Sequence, residues 1–180
     1  MRGGKALVFV VAVGSAGCVE AFGDRNPYEP GEPLGTYHVK ATQTANDCGD
    51  GALGAPPVWE FDVKLAWEDD SLFWNSGGQI IVGTLSADRT SFEIATEVVQ
   101  DMRTDADAGK PACSVARSDV AKGKLAVEGE GVSAASGTLS YSFAPTSGSS
   151  CSDLVGGEAP IFAALPCAIT YSFEAPRTGD

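Results

Sequence analysis

Between Trp59 and Glu68, apolar and charged side chains alternate along the chain. Trp59, Phe61, Val63, Leu65 and Trp67 fall on one side of an extended backbone, and Glu60, Asp62, Lys64 and Glu68 on the other. A period of two puts every ring in a core and every charge in water, whereas a helix would scatter both kinds around its circumference. The segment is therefore predicted as a strand with one buried face. Tyr37, Val39 and Ala41 against His38, Lys40 and Thr42 repeat the habit, as do Leu139, Tyr141 and Phe143 against Thr138, Ser140 and Ser142. Ile169, Tyr171 and Phe173 form a last such face.

Turn chemistry divides the remainder. Glu68-Asp69-Asp70-Ser71 and Asn75-Ser76-Gly77-Gly78 read as turns around a short strand, Leu72-Phe73-Trp74, and Gln79 to Leu85 as a central strand. Ser86-Ala87-Asp88-Arg89 turns the chain into Ser91 to Met102, where Phe92, Ile94 and Val98 share a face opposite Glu93 and Glu97. Its β-branched residues favour a strand over the rival helix. Cys113 to Ser118 and Lys124 to Glu128 read as two short strands joined by Asp119 to Gly123. Seven to nine strands without a long helix predict an all-β antiparallel meander, closed as a barrel or, alternatively, packed as a β-sandwich. Its interior would be filled by Trp59, Phe61, Trp67, Phe92, Tyr141, Phe143, Tyr171 and Phe173.

Ahead of this region, Arg2 and Lys5 precede the apolar run Ala6 to Val13, which is far shorter than the roughly 20 residues of a membrane-spanning helix. Val13-Gly14-Ser15-Ala16-Gly17-Cys18 follows. Small residues just before a cysteine resemble the lipobox of bacterial lipoproteins, although Ser15 stands where that family usually carries leucine. The resemblance implies removal of a signal peptide, residues 1–17, and acylation of Cys18. Plain secretion after cleavage at Ala16, and a retained signal anchor, are the alternatives. Residues 18–34, with Pro27, Pro30 and Pro33 at every third position, are expected to form an extended tether, in preference to an SH3-type ligand. Residues 35–180 are expected to form the all-β domain.

Withdrawing Cys18 leaves Cys48, Cys113, Cys151 and Cys167, an even set in an oxidising compartment. No CxxC pair is present and His38 is the only histidine, so the spacing fits no zinc motif. If the strands alternate in direction as counted, Cys48 and Cys113 lie at one end, and Cys151 and Cys167 at the other. Disulfides Cys48–Cys113 and Cys151–Cys167 are predicted on that basis.

The formal charge of -12 becomes -14 when Arg2 and Lys5 are removed. Such a surface repels nucleic acid and anionic head groups alike, so attachment to a membrane, at the cell envelope, would rest on acyl chains. No GxSxG elbow is present, and a catalytic triad would have to use His38, which alternation places on the polar face. Asp101, Asp105 and Asp107 with Gly109, and Asn46-Asp47-Cys48-Gly49-Asp50-Gly51, are weak calcium candidates that do not match the spaced ligands of a calcium loop. No metal and no other cofactor is expected.

Gly35-Thr36-Tyr37, Gly83-Thr84-Leu85 and Gly137-Thr138-Leu139, with late disulfides, look like the lipocalin-like β-barrels of bacterial lipoproteins. Tyr37 stands where lipocalins carry Trp, and no segment matches the helix that follows their barrel. The expectation is a non-enzymatic envelope lipoprotein with a binding or surface-interaction role toward an unidentified protein or small ligand. A lipocalin-like carrier of a small apolar ligand is the alternative that the resemblance implies. An enzyme acting on envelope polysaccharide is the more distant one. Acyl labelling should mark the expressed chain and leave Cys18→Ala unmarked; equal labelling of the two would place the anchor elsewhere.

Overall fold

The computed structural model describes residues 30–52, 56–103, 110–129, 131–155 and 160–180. Eight strands follow one another: β1 (Glu32–Asn46), β2 (Val58–Glu68), β3 (Ser71–Asn75), β4 (Ile80–Leu85), β5 (Ser91–Arg103), β6 (Cys113–Glu128), β7 (Gly131–Pro145) and β8 (Cys167–Gly179). Each pairs antiparallel with the next, and β8 returns to β1, closing a barrel. This is the barrel form of the expected all-β meander. A single 3-10 turn, Ser152–Leu154, is the only helical element among the described residues.

Alternation decides the layers. Tyr37, Val39 and Ala41 on β1, Val63, Leu65 and Trp67 on β2, and Ile169, Tyr171 and Phe173 on β8 are all buried. The outward positions between them carry cross-strand pairs, Lys40–Glu60 at 3.4 Å and Glu93–Lys122 at 3.0 Å. This outer face is suited to water. Inside, Trp59 stacks on Tyr171 with centroids 5.6 Å apart, and Trp74 meets Phe173 edge-on at 6.2 Å. Tyr37, wholly buried, donates its hydroxyl to the Leu34 or Val132 carbonyl, at 3.2 and 2.9 Å, so its polar tip is satisfied.

Three expectations change. First, the segments Cys113 to Ser118 and Lys124 to Glu128 belong to one strand, β6, paired with β7 from Val115↔Pro145 to Glu128↔Gly131. Gly123 is the reason its turn-like middle stays extended: a Cβ there would lie 2.7 Å from the Phe92 ring and 2.5 Å from the Ser136 carbonyl oxygen. The glycine serves close packing rather than reversal.

Second, the disulfides are Cys48–Cys167 and Cys113–Cys151, not Cys48–Cys113 and Cys151–Cys167. Counting β6 as two strands reverses the direction of everything after it. With β6 whole, all four cysteines fall at the end of the barrel that carries connections 47–57, 104–112 and 146–166. Cys48 then meets Cys167 because β1 and β8 are neighbours, with Asn46 opposite Ile169. Cys113 meets Cys151 because β6 lies beside β7. Third, β1 begins at Glu32, and Pro33 pairs with Ala66, so the strand takes in the last residues of the expected tether. Pro27 lies outside the described residues.

Leu65 is 2% exposed and Val82 is 55% exposed. Leu65→Asp should cost about 3 kcal/mol or more in chemical denaturation by burying an unpaired charge. Val82→Asp should stay within about 1 kcal/mol of the wild type. Similar losses at both sites would show that the two faces are not distinguished.

Candidate functional site: a lateral cleft between β4 and β5

β4 has six residues and β5 thirteen. The two pair only through Thr84↔Glu93 and Leu85↔Phe92, whereas β5 and β6 pair from Ser91↔Lys124 to Arg103↔Cys113. Gly83 sits where the short ladder ends. A Cβ at that position would lie 2.4 Å from Ile94 Cγ1 and 2.6 Å from the Glu93 carbonyl oxygen, so only glycine lets the strands approach here. Past this point, the β4-facing edge of β5 has no ladder partner among the described residues.

The side of the barrel opens at this divergence. A cleft of about 170 Å³ leads inward, walled by Phe61, Trp74, Ile94 and Tyr141 and bearing Arg117 and Asp119. Both charged residues sit on the inner face of β6, in the alternating set Val115, Arg117, Asp119, Ala121, Gly123 and Leu125, whose two ends are buried. Arg117 Nε donates to Asp119 Oδ1 and Nη2 to Oδ2, each at 2.6 Å. The guanidinium lies over the Tyr141 ring, 5.3 Å from its centroid.

Desolvation offsets much of the attraction in an inward ion pair, and an apolar pair of the same volume would commonly hold a core as well. The pair is therefore better explained by what it presents to the cleft. Both side chains remain partly exposed, at 25% and 31%. The pair is neutral as a unit, with guanidinium donors and carboxylate lone pairs left over. Burial holds the Tyr141 phenol un-ionised, with a further push from the Asp119 charge that outweighs Arg117, and its pKa rises to about 12.

Other candidate groups are placed differently. His38 lies outward, its Nδ1 2.8 Å from Asp62 Oδ1. Asp101 is exposed and accepts the Ser114 hydroxyl at 2.6 Å, while Asp105 and Asp107 lie outside the described residues. Asn46 Oδ1 accepts the amides of Cys48 and Gly49, each at 3.0 Å, and Asp47 accepts that of Ala168. These oxygens organise a turn. Asp47, Cys48 and Cys167 form the one group with metal-ligand spacing among the described residues, and its two sulfurs are joined to each other. Cys18 lies outside the described residues.

A second cavity, of about 400 Å³, runs along the outer surface between Pro30, Pro33, Phe73 and Ile80. Compared with protein-family models, curated proteins and solved structures, the chain matches none.

The Arg117–Asp119 pair escapes a reading that turns the chain at Asp119. Its signal is period two carried on from Val115 to Leu125, which puts opposite charges two residues apart on an otherwise small and apolar face. For Tyr141, a phenol raised from 10.0 to about 12 adds stability that is fully present below pH 10 and lost as pH rises toward 12. Tyr141→Phe should therefore lose less stability over that interval than the wild type in denaturant titrations. Identical alkaline losses would remove Tyr141 as the source.

Proposed function

We propose that the chain is a lipid-anchored binding module of the cell envelope, without catalytic activity, which holds its ligand in the cleft between β4 and β5. The observation that carries the binding role is the side opening itself, with the Arg117–Asp119 pair facing it from an otherwise aromatic interior. Support for export and anchoring comes from the cysteines. Cys48, Cys113, Cys151 and Cys167 are all spent on two disulfides, which leaves Cys18 for acylation.

The cleft's contents favour binding over chemistry. Asp119 is the one carboxylate among the described residues that line it, and Arg117 holds it by both oxygens, whereas glycoside hydrolysis takes two carboxyl groups with divided roles. The space also argues against a carrier that swallows a whole apolar ligand. About 170 Å³ is less than the roughly 300 Å³ at which pockets for drug-sized ligands begin, and the rest of the interior is packed by its own rings. A ligand that inserts one group and lies across the opening suits this volume.

Ala121 lines the cleft. Protein purified from its native envelope, and extracted for mass spectrometry, should carry a species that Ala121→Phe lacks while keeping the wild-type unfolding midpoint. A species retained equally by both proteins, or none retained by the wild type, would contradict the cleft as the binding site.

A further inference from the structure

We infer that the ligand is an extended, basic peptide segment that adds as a strand to the open edge of β5 and places one side chain in the cleft. This rests on the cleft reading above and names its occupant. From Ala95 to Asp101, β5 is paired on its β6 side and has no ladder partner on its β4 side among the described residues. In an antiparallel ladder, alternate residues turn their N–H and C=O groups to each side, so this edge offers a row of donors and acceptors at strand spacing. Only another extended backbone satisfies such a row throughout.

Edges are ordinarily protected by lysine, proline or a covering element. The stretch Ala95-Thr96-Glu97-Val98-Val99-Gln100-Asp101 contains neither residue, and Val98 and Val99 are 54% and 55% exposed. Val98 belongs to the inward-facing set with Phe92 and Ile94, yet stands past the part of β5 that β4 covers. An incoming strand would pack an apolar side chain against it and direct a neighbouring one toward Thr96, Trp74 and the Arg117–Asp119 pair. Because that pair is neutral as a unit, an uncharged side chain enters without leaving either partner alone.

Charge selects the partner's other face. Glu93, Glu97 and Asp101 share the outward side of β5; Lys122 pairs with Glu93, and no cation pairs with Glu97 or Asp101 among the described residues. Lysine or arginine at alternate positions of the incoming strand would face them. A second copy of this chain is the poorer occupant, because it would bring two strongly acidic bodies edge to edge, each of charge -12 even before Arg2 and Lys5 are removed.

The test uses the full chain and an end-capped heptapeptide alternating lysine with valine, beginning and ending on lysine. Fluorescence anisotropy should show binding, and amide hydrogen exchange should slow at the alternate residues of 95–101 whose N–H groups face away from β6. A control of the same composition, with its lysines in one block, should bind roughly tenfold or more weakly, as should the probe N-methylated on the alternate amides that face β5. Equal binding by the block control would overturn the proposal in favour of simple charge attraction. Slow exchange, in the free monomer, of those amides of 95–101 that face away from β6 would overturn it in favour of a segment of the chain's own. A dimer protecting those residues would overturn it in favour of a second copy. If the probe fails to bind while Ala121→Phe still sheds the co-purified species, the cleft reading stands and the strand inference falls. If the probe protects 95–101 equally in the wild type and Ala121→Phe, the edge binds without the cleft and the inference is overturned.

Discussion

Two rungs of ladder between β4 and β5 complete the barrel, and what the molecule can do follows from how few they are. Five long strands, β5 to β8 and β1, form a continuous wall. The β3–β4 hairpin is too short to match it. Closure is possible because Gly83 removes the side chain that would collide with Ile94 and with the β5 backbone. Past Gly83 the ladder stops although β4 runs back to Ile80, and beyond Ile80 no residue of β4 is left to face β5, which continues to Arg103. Divergence over residues 80–82, together with the mismatch in strand length, leaves an opening in the side of an otherwise closed wall.

The remaining interior is arranged to tolerate that opening. Toward the turns that join β2 to β3 and β6 to β7, Tyr37, Trp67, Leu125 and Val132 fill the lumen. At the opposite end, the two disulfides tie β1 to β8 and the start of β6 to the segment after β7, where long connections would otherwise leave strand ends loose. The cleft lies between these regions. There, Arg117 stacks on Tyr141 and grips Asp119, so a polar unit occupies an aromatic interior without an unpaired charge.

Much of the barrel was legible from alternation, because burial on one face imposes period two on each strand independently of its neighbours. Trp59 through Trp67 and Ile169 through Phe173 declare which side is inside without reference to the rest of the fold. Register, strand length and disulfide partners are not local in this way. Asp119 to Gly123 resembles a turn by composition, and its true role depends on the Phe92 ring and the Arg117 guanidinium, both of which lie outside the segment. Taken as a turn, it reverses the chain's apparent direction and exchanges the cysteine partners. The cleft was hidden for the same reason: it exists because Thr84 meets Glu93 while Val82 meets nothing on β5, a fact of pairing rather than of composition.

The opening depends on the divergence of β4 from β5, which backbone NMR of the full chain can read pair by pair. Cross-strand contacts should join Leu85 to Phe92 and Thr84 to Glu93, with none from Val82 or Ile80 to Ala95 or Glu97. A ladder running on through Val82 and Ile80 would close the wall and leave neither cleft nor open edge.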